Sequence, residues 1–238
     1  MLKIKKLSAA SQSQSMLQDI NLEVKAGEIH AVMGPKFSGK SALLHSILGH
    51  PNIQQVDGSI TFNKKKIHDL ETDERAKLGI FVGWQFPPEF DNLTNWEIVS
   101  RLYSGTENLD LDYTTACMVL DLGFDHGAKH PTGFEMNMGQ AKRAELVHMY
   151  LSKPSLVLID EIDVNASAEE VQLMAAFLKD YITPERAGII TTNNQEFLDI
   201  IQPTHVHVMS EGEIKLSGDA ELYKRIIKDG YPEFSKSN

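Results

Sequence analysis

Cysteine is almost absent: Cys117 is the only one among 238 residues. No intramolecular disulfide can form, and the chain alone cannot supply a cysteine cage for zinc or for an iron–sulfur cluster. Cys117 is expected to serve as a small buried apolar residue on a helix over residues 113–122. Long apolar runs are missing too. No stretch reaches the roughly 18 apolar residues that a membrane span needs, and the apolar run at the start is too short for a signal peptide. The expectation is a soluble, cytoplasmic protein without a membrane span of its own. Positive charge is in deficit, 23 Lys and Arg against 33 Asp and Glu, and the net charge of -10 argues against binding nucleic acid backbones. The one basic run, Lys64, Lys65 and Lys66, is expected at the solvated end of a hairpin. Hydrophobic residues make up 42%, enough to bury a full core.

Against these absences stands one specific motif. Gly34, Pro35, Lys36, Phe37, Ser38, Gly39, Lys40 and Ser41 fit the pattern G-x-x-x-x-G-K-[ST]. The pattern lies between an apolar run at 29–33 and a helical pattern at 41–48, the context a phosphate-binding loop requires. In such a loop the backbone N–H groups turn inward around the α and β phosphates. Lys40 reaches the β and γ phosphates, and the Ser41 hydroxyl ligates Mg²⁺. The ligand is ATP or GTP.

Short β-type runs at 2–7, 17–24, 29–33 and 59–62 fill the first third, punctuated by Gly27 and by Asp57 and Gly58. They imply antiparallel strands feeding the loop strand. The polar residues 8–15 are expected to form an exposed loop. Buried strands are expected at 79–84, 155–160 and 188–192, alternating with helices such as 139–151 and 169–181, a parallel α/β sheet with nucleotide at the strand ends. The stretch from residue 87 onward carries helical patterns without a strong strand, which suggests an inserted helical subdomain. His205 and His207 alternate with valines and are expected to mark one face of a strand, not a metal site.

Downstream, the apolar run 156–159 ends in two acids, a Walker B pattern. Asp160 can hold Mg²⁺ through water, and Glu161 is placed to polarise the water that attacks the γ-phosphate. Gln85 follows the strand at 80–84, where its amide can touch both the metal and the helical insert.

The order of P-loop, Gln85, helical insert, the segment 136–140 and the Asp160 and Glu161 pair resembles the ATPase domain of the ABC family. Residues 79–89, 206–209, 212–219 and the Gly230 and Tyr231 pair make the chain similar, within that family, to SufC, the ATPase of Suf iron–sulfur cluster assembly. The resemblance implies an ABC-type P-loop ATPase of α/β class with an antiparallel β subdomain, a parallel-sheet core and an inserted helical subdomain. It would form one domain over 1–238, with the helical subdomain at about 87–138. ATP with Mg²⁺ would be bound by a nucleotide-dependent dimer. The partners implied are Suf-type scaffold proteins or a sister ABC ATPase, with any cluster ligands supplied by those partners. The runner-up readings are a pseudo-ATPase that uses nucleotide as a structural switch, and the ATPase subunit of a membrane transporter.

Three departures from the family pattern bear on turnover. The signature Leu-Ser-Gly-Gly-Gln reads Met136, Asn137, Met138, Gly139, Gln140, so the serine and first glycine that would reach the γ-phosphate across a dimer are replaced. Asn137 retains a donor. The histidine that touches the γ-phosphate is replaced by Asn193, which can hydrogen-bond but cannot carry positive charge. The aspartate that follows Walker B by several residues is missing from Val164, Asn165, Ala166 and Ser167, although Asp163 remains. Within the loop, Phe37 stands where a small residue is usual, and no aromatic residue in 8–16 offers a stacking surface for a base.

Overall fold

The structure, a computed structural model, describes residues 1–12, 14–88, 93–105, 107–122 and 136–234. Residues 89–92, 106 and 123–135 of the expected helical insert lie outside the described residues.

Two sheets organise the chain. Strands β1 (Leu2–Ser11), β2 (Gln14–Val24), β4 (Gln54–Phe62) and β5 (Lys65–Lys66) form an antiparallel sheet in the order β2-β1-β4-β5. The second sheet takes β3 (Ile29–Met33), β6 (Ile80–Gly83), β7 (Leu156–Asp160), β8 (Ala187–Thr191), β9 (His205–Ser210) and β10 (Glu213–Gly218) in the order β10-β9-β3-β8-β7-β6. Its pairings are parallel except the antiparallel edge β10. Strands β3, β7 and β8 are buried at every position, as a sheet covered on both faces demands.

The expected loop over 8–15 is instead the tip of the β1–β2 hairpin, where Ala10 faces Ser15 and Ser11 faces Gln14. Ala9 is buried there, so a small residue continues the inward face that the larger apolar residues begin, while its serine and glutamine neighbours hid the strand pattern. Asp57 and Gly58 likewise lie inside β4 and not in a turn between strands. Gly58 sits at φ +88, and a Cβ there would come within 2.3 Å of the Lys6 carbonyl oxygen, beside a register shift between Lys5 and Ser8. The glycine marks a bulge where two backbones approach closely. Lys64, Lys65 and Lys66 do occupy an exposed hairpin end.

Helices α1 (Lys40–Leu48), α2 (Thr72–Lys77), α3 (Asn95–Leu102), α4 (Leu109–Val119), α5 (Met138–Ser152), α6 (Ala168–Tyr181), α7 (Gln195–Ile201) and α8 (Ala220–Asp229) complete the described elements. One core fills the space between the parallel sheet and α4, α5 and α6, and it includes Cys117, Leu146, Val157 and Met174. A second joins the antiparallel sheet and α1 to the other face. Buried Arg75 of α2 ties α1 down: its guanidinium donates to the carbonyls of Ser46 (2.9 Å), Ile47 (3.0 Å), Leu70 (2.9 Å) and His68 (3.1 Å). Two of those oxygens belong to the last turn of α1, where carbonyls lack helical partners.

Candidate functional site

The C-terminal ends of β3, β7 and β8 bring the candidate residues together. Gly34 leaves β3 at φ +155 with no room for a side chain, since a Cβ would lie 2.4 Å from the Met209 carbonyl oxygen. The loop from Gly34 to Gly39 then opens α1, whose first residue is Lys40. Phe37 adopts φ +65 at the tip and is fully exposed, so its bulk is accommodated by pointing away from the loop interior. Ser38 is the reverse case: its hydroxyl oxygen is buried and has no hydrogen-bond partner among the described residues.

Lys40 is 5% exposed and folds over its own loop, donating to the carbonyl oxygens of Gly34 (2.9 Å) and Pro35 (3.1 Å). Its ammonium is 3.3 Å from Glu161 Oε1. The other carboxylate oxygen of Glu161 accepts from the Gln85 amide at 2.8 Å. Lys40, Glu161 and Gln85, widely separated in the chain, are thus linked across the strand ends by one ion pair and one hydrogen bond.

Glu161 is held in the left-handed region at φ +42, unusual for a residue other than glycine. Its N–H donates to the Thr191 carbonyl (3.1 Å) and lies 2.9 Å from Thr191 Oγ1. Thr191 Oγ1 in turn donates to Asp160 Oδ1 at 2.7 Å. One buried threonine on β8 therefore fixes both Asp160 and Glu161, and it holds the strained backbone of Glu161 in place. Asp160 is 3% exposed. Behind the pair, fully buried Lys142 donates to the Glu161 carbonyl at 3.2 Å and to that of Val164. Burial lowers the Lys142 pKa and raises that of Asp163. Asp163 keeps one buried carboxylate oxygen unpartnered among the described residues.

Asn193 follows β8 and reaches the start of the phosphate loop. Its Nδ2 donates to the Gly34 carbonyl at 3.0 Å, and its Oδ1 accepts from the Gly34 N–H at 3.2 Å. The Tyr231 hydroxyl donates to the same Oδ1 at 2.7 Å.

Asn137 caps α5, accepting from the Gln140 N–H at 2.8 Å while Gln140 Oε1 accepts from the Asn137 N–H at 3.0 Å. Met138 lines an apolar cavity of about 260 Å³ with Phe81, Trp84, Ile98 and Ala141. One residue on, a Cβ at Gly139 would lie 2.1 Å from the Glu170 carboxylate, which bonds Arg143 at 3.1 Å and would have to shift to admit it. Glu145 lines the same cavity, accepts from the Trp84 N–H at 2.9 Å and is pushed up to about 8 by burial.

The oxygen donors at the loop suit a hard cation. Asp160 at the strand end and the Ser41 hydroxyl in the first turn of α1 fit Mg²⁺, with the Gln85 amide oxygen as a third donor. The unpartnered Ser38 hydroxyl and the Lys40 ammonium fit phosphate oxygens. Sequence reasoning missed Thr191, Lys142 and the contact of Tyr231. Thr191 and Lys142 sit inside regular elements whose pattern signals only burial, and Tyr231 meets Asn193 across 38 positions.

A family model described as ABC transporter matches residues 17–163. A probable ABC transporter ATP-binding protein of Streptococcus pyogenes is 34% identical over 239 residues, covering 97% of this chain and 93% of its own. A probable ATP-dependent transporter of Synechocystis is 32% identical over 243 residues, covering 97% and 94%. Among solved structures, a dimeric ATP-binding cassette in a post-hydrolysis state with ADP and Pi superposes with a TM-score of 0.79 at 19% identity, over 92% of this chain and 99% of that one. The two-sheet α/β architecture is the same. No helix among the described residues is long and apolar enough to cross a membrane.

Proposed function

The chain belongs to the ABC transporter family of ATP-binding proteins, and from that premise we propose that it works as a Suf-type ATPase, using ATP binding and slow hydrolysis to change the conformation of iron–sulfur cluster assembly partners. The observation that carries the ATPase reading is the convergence of Lys40, Gln85 and Glu161 at the strand ends. The Suf assignment rests on residues 79–89, 206–209 and 212–219, and it suits a chain whose one cysteine, Cys117, is buried and so leaves cluster ligands to a partner.

ABC proteins bind ATP with Mg²⁺. In this chain Gly34 to Ser41 would hold the phosphates, and Ser41, Gln85 and Asp160 would hold the ion, which would supply charge neutralisation at the phosphates. Lys40 leaves its loop carbonyls for the β and γ phosphates. Glu161, freed from the ammonium, orients the attacking water and accepts its proton, and Gln85 relays the change at Glu161 to the helices that follow β6. Asn193 supplies one neutral donor. The domain reading is a single ABC cassette over 1–238 with a helical subdomain at about 87–138. Two copies, or one copy and a sister ATPase, close around nucleotide so that Asn137 of one faces the loop of the other. The chain acts in the cytoplasm.

The pseudo-ATPase reading draws on Asn193, which is already tied to Gly34 and Tyr231. The transporter reading draws on the relatives, named as transporter proteins. Copurification from native cells in MgATP separates the partners. Scaffold proteins carrying iron–sulfur clusters support the Suf assignment, and a membrane-spanning permease overturns it while leaving the ATPase reading intact.

A further inference from the structure

At the end of β3 away from the phosphate loop, residues distant in sequence form a histidine cluster that nucleotide chemistry does not use. Strands β3 and β9 run parallel with His30 beside His205 and Val32 beside His207. The rings of His30 and His205 stack at 4.4 Å between centroids, tilted by 17°. Glu28, just before β3, places its Oε2 3.0 Å from His30 Nε2. His30 is 1% exposed, whereas Glu28 and His205 are partly open to solvent.

We infer that Glu28, His30 and His205 form a binding site for a divalent transition-metal ion of the zinc class, which ties β3 to β9 at this end of the sheet. One ligand atom from each lies within 4.8 Å of the others. Ligand atoms around a tetrahedral zinc ion, at about 2.0–2.1 Å from it, are about 3.4 Å apart, so the carboxylate and His30 need only separate by a few tenths of an ångström and the stacked rings tilt inward. Two imidazoles and one carboxylate leave a coordination position for water.

The surroundings are those of metal-binding histidines, whose second ring nitrogen is engaged elsewhere. His30 Nδ1 is 2.9 Å from His207 Nε2, and His207 Nδ1 is 2.8 Å from Ser217 Oγ. His205 Nδ1 is 3.0 Å from Thr204 Oγ1, leaving its other nitrogen available. His205 and His207 do share a strand face, as their alternation implies; the sequence could not show that Glu28 and His30 come to meet them.

The test uses the tag-free chain, stripped with chelator and without nucleotide, titrated with Zn²⁺ against a competing indicator, and with Co²⁺ for its visible absorption. One ion per chain is expected, with a rise in melting temperature and tetrahedral-type cobalt absorption. Glu28→Gln and His205→Ala, both at partly exposed positions, should each weaken binding at least about 10-fold and abolish the thermal shift. Circular dichroism and the melt without metal establish that the variants fold. If the wild-type chain binds no Zn²⁺, or if both folded variants bind it as the wild type does, the site does not exist.

Discussion

Asn193 and Gly34 grip each other in both directions, the side-chain amide donating to the Gly34 carbonyl at 3.0 Å and accepting from its N–H at 3.2 Å. The first amide of the phosphate loop is therefore engaged by the residue that stands where the family carries a histidine. Tyr231 adds a third bond to the same Oδ1, locking the side chain in that orientation. An asparagine so held offers the γ-phosphate one neutral donor at most.

Asn193→His should raise turnover, and the loss it repairs is on the scale of about 10²-fold, that of one donor to developing charge. Steady-state phosphate release under saturating MgATP checks this. An unchanged rate would place the limitation in the signature segment instead, where Asn137 is engaged in its capping box.

Tyr231→Phe removes the hydroxyl that bonds Asn193 Oδ1 at 2.7 Å and that also meets the Gly34 backbone. Turnover by the variant should rise a few-fold if the lock restrains Asn193, with nucleotide affinity nearly unchanged. A large loss of affinity would instead assign Tyr231 a direct part in binding.

If each composite site combines Asn193 of one chain with Asn137 and Met138 of the other, a homodimer carries both defects at both sites. Pairing with a sister ATPase that has an intact signature and histidine leaves one defect per site. Hydrolysis should then be slow for the chain alone and faster in the mixed assembly. Equal, negligible rates in both would argue for the pseudo-ATPase.

Much of this is legible in the sequence. The loop from Gly34 to Ser41 and the Walker B acids announce themselves because their chemistry is local, and strands β3, β7 and β8 show as short apolar runs because both faces are covered. The hairpin tip around Ala9 was not legible, since burial there is achieved by an alanine in a stretch of serines and glutamines. Nor was the cavity that Met138 lines, which α3, α5 and β6 leave between them. The ion pair of Lys40 with Glu161 and the hydrogen bond of Glu161 with Gln85 required the fold to bring three distant segments together.

Arg75→Met should destabilise the protein by on the order of 3 kcal/mol, because carbonyls of Ser46, Ile47, Leu70 and His68 lose their donor together. Urea denaturation reads the change. A loss below about 1 kcal/mol would mean that water replaces the guanidinium at the end of α1.

Stability should also fall with rising pH above the histidine range. Burial pushes Glu145 up to about 8 from 4.5, so between those values the folded chain holds a proton that the unfolded chain has released. Its contribution is complete below the unfolded value and is lost as pH rises through 8. His148, pushed down by burial to about 4 from 6.5, works in the opposite sense but is spent above 6.5. From pH 6.5 to 8 the slope from Glu145 emerges, at about 1 kcal/mol per unit. Glu145→Gln should flatten it, and equal slopes in the two proteins would contradict the burial of that carboxyl.

The most direct measurement is MgATP binding and turnover by the purified chain beside Lys40→Ala and Glu161→Gln. The expected result is binding that Lys40→Ala abolishes and slow phosphate release that Glu161→Gln abolishes while nucleotide stays bound. Absence of binding by the unaltered chain, or binding indifferent to Lys40, would contradict the assignment of Gly34 to Ser41 as a working phosphate loop.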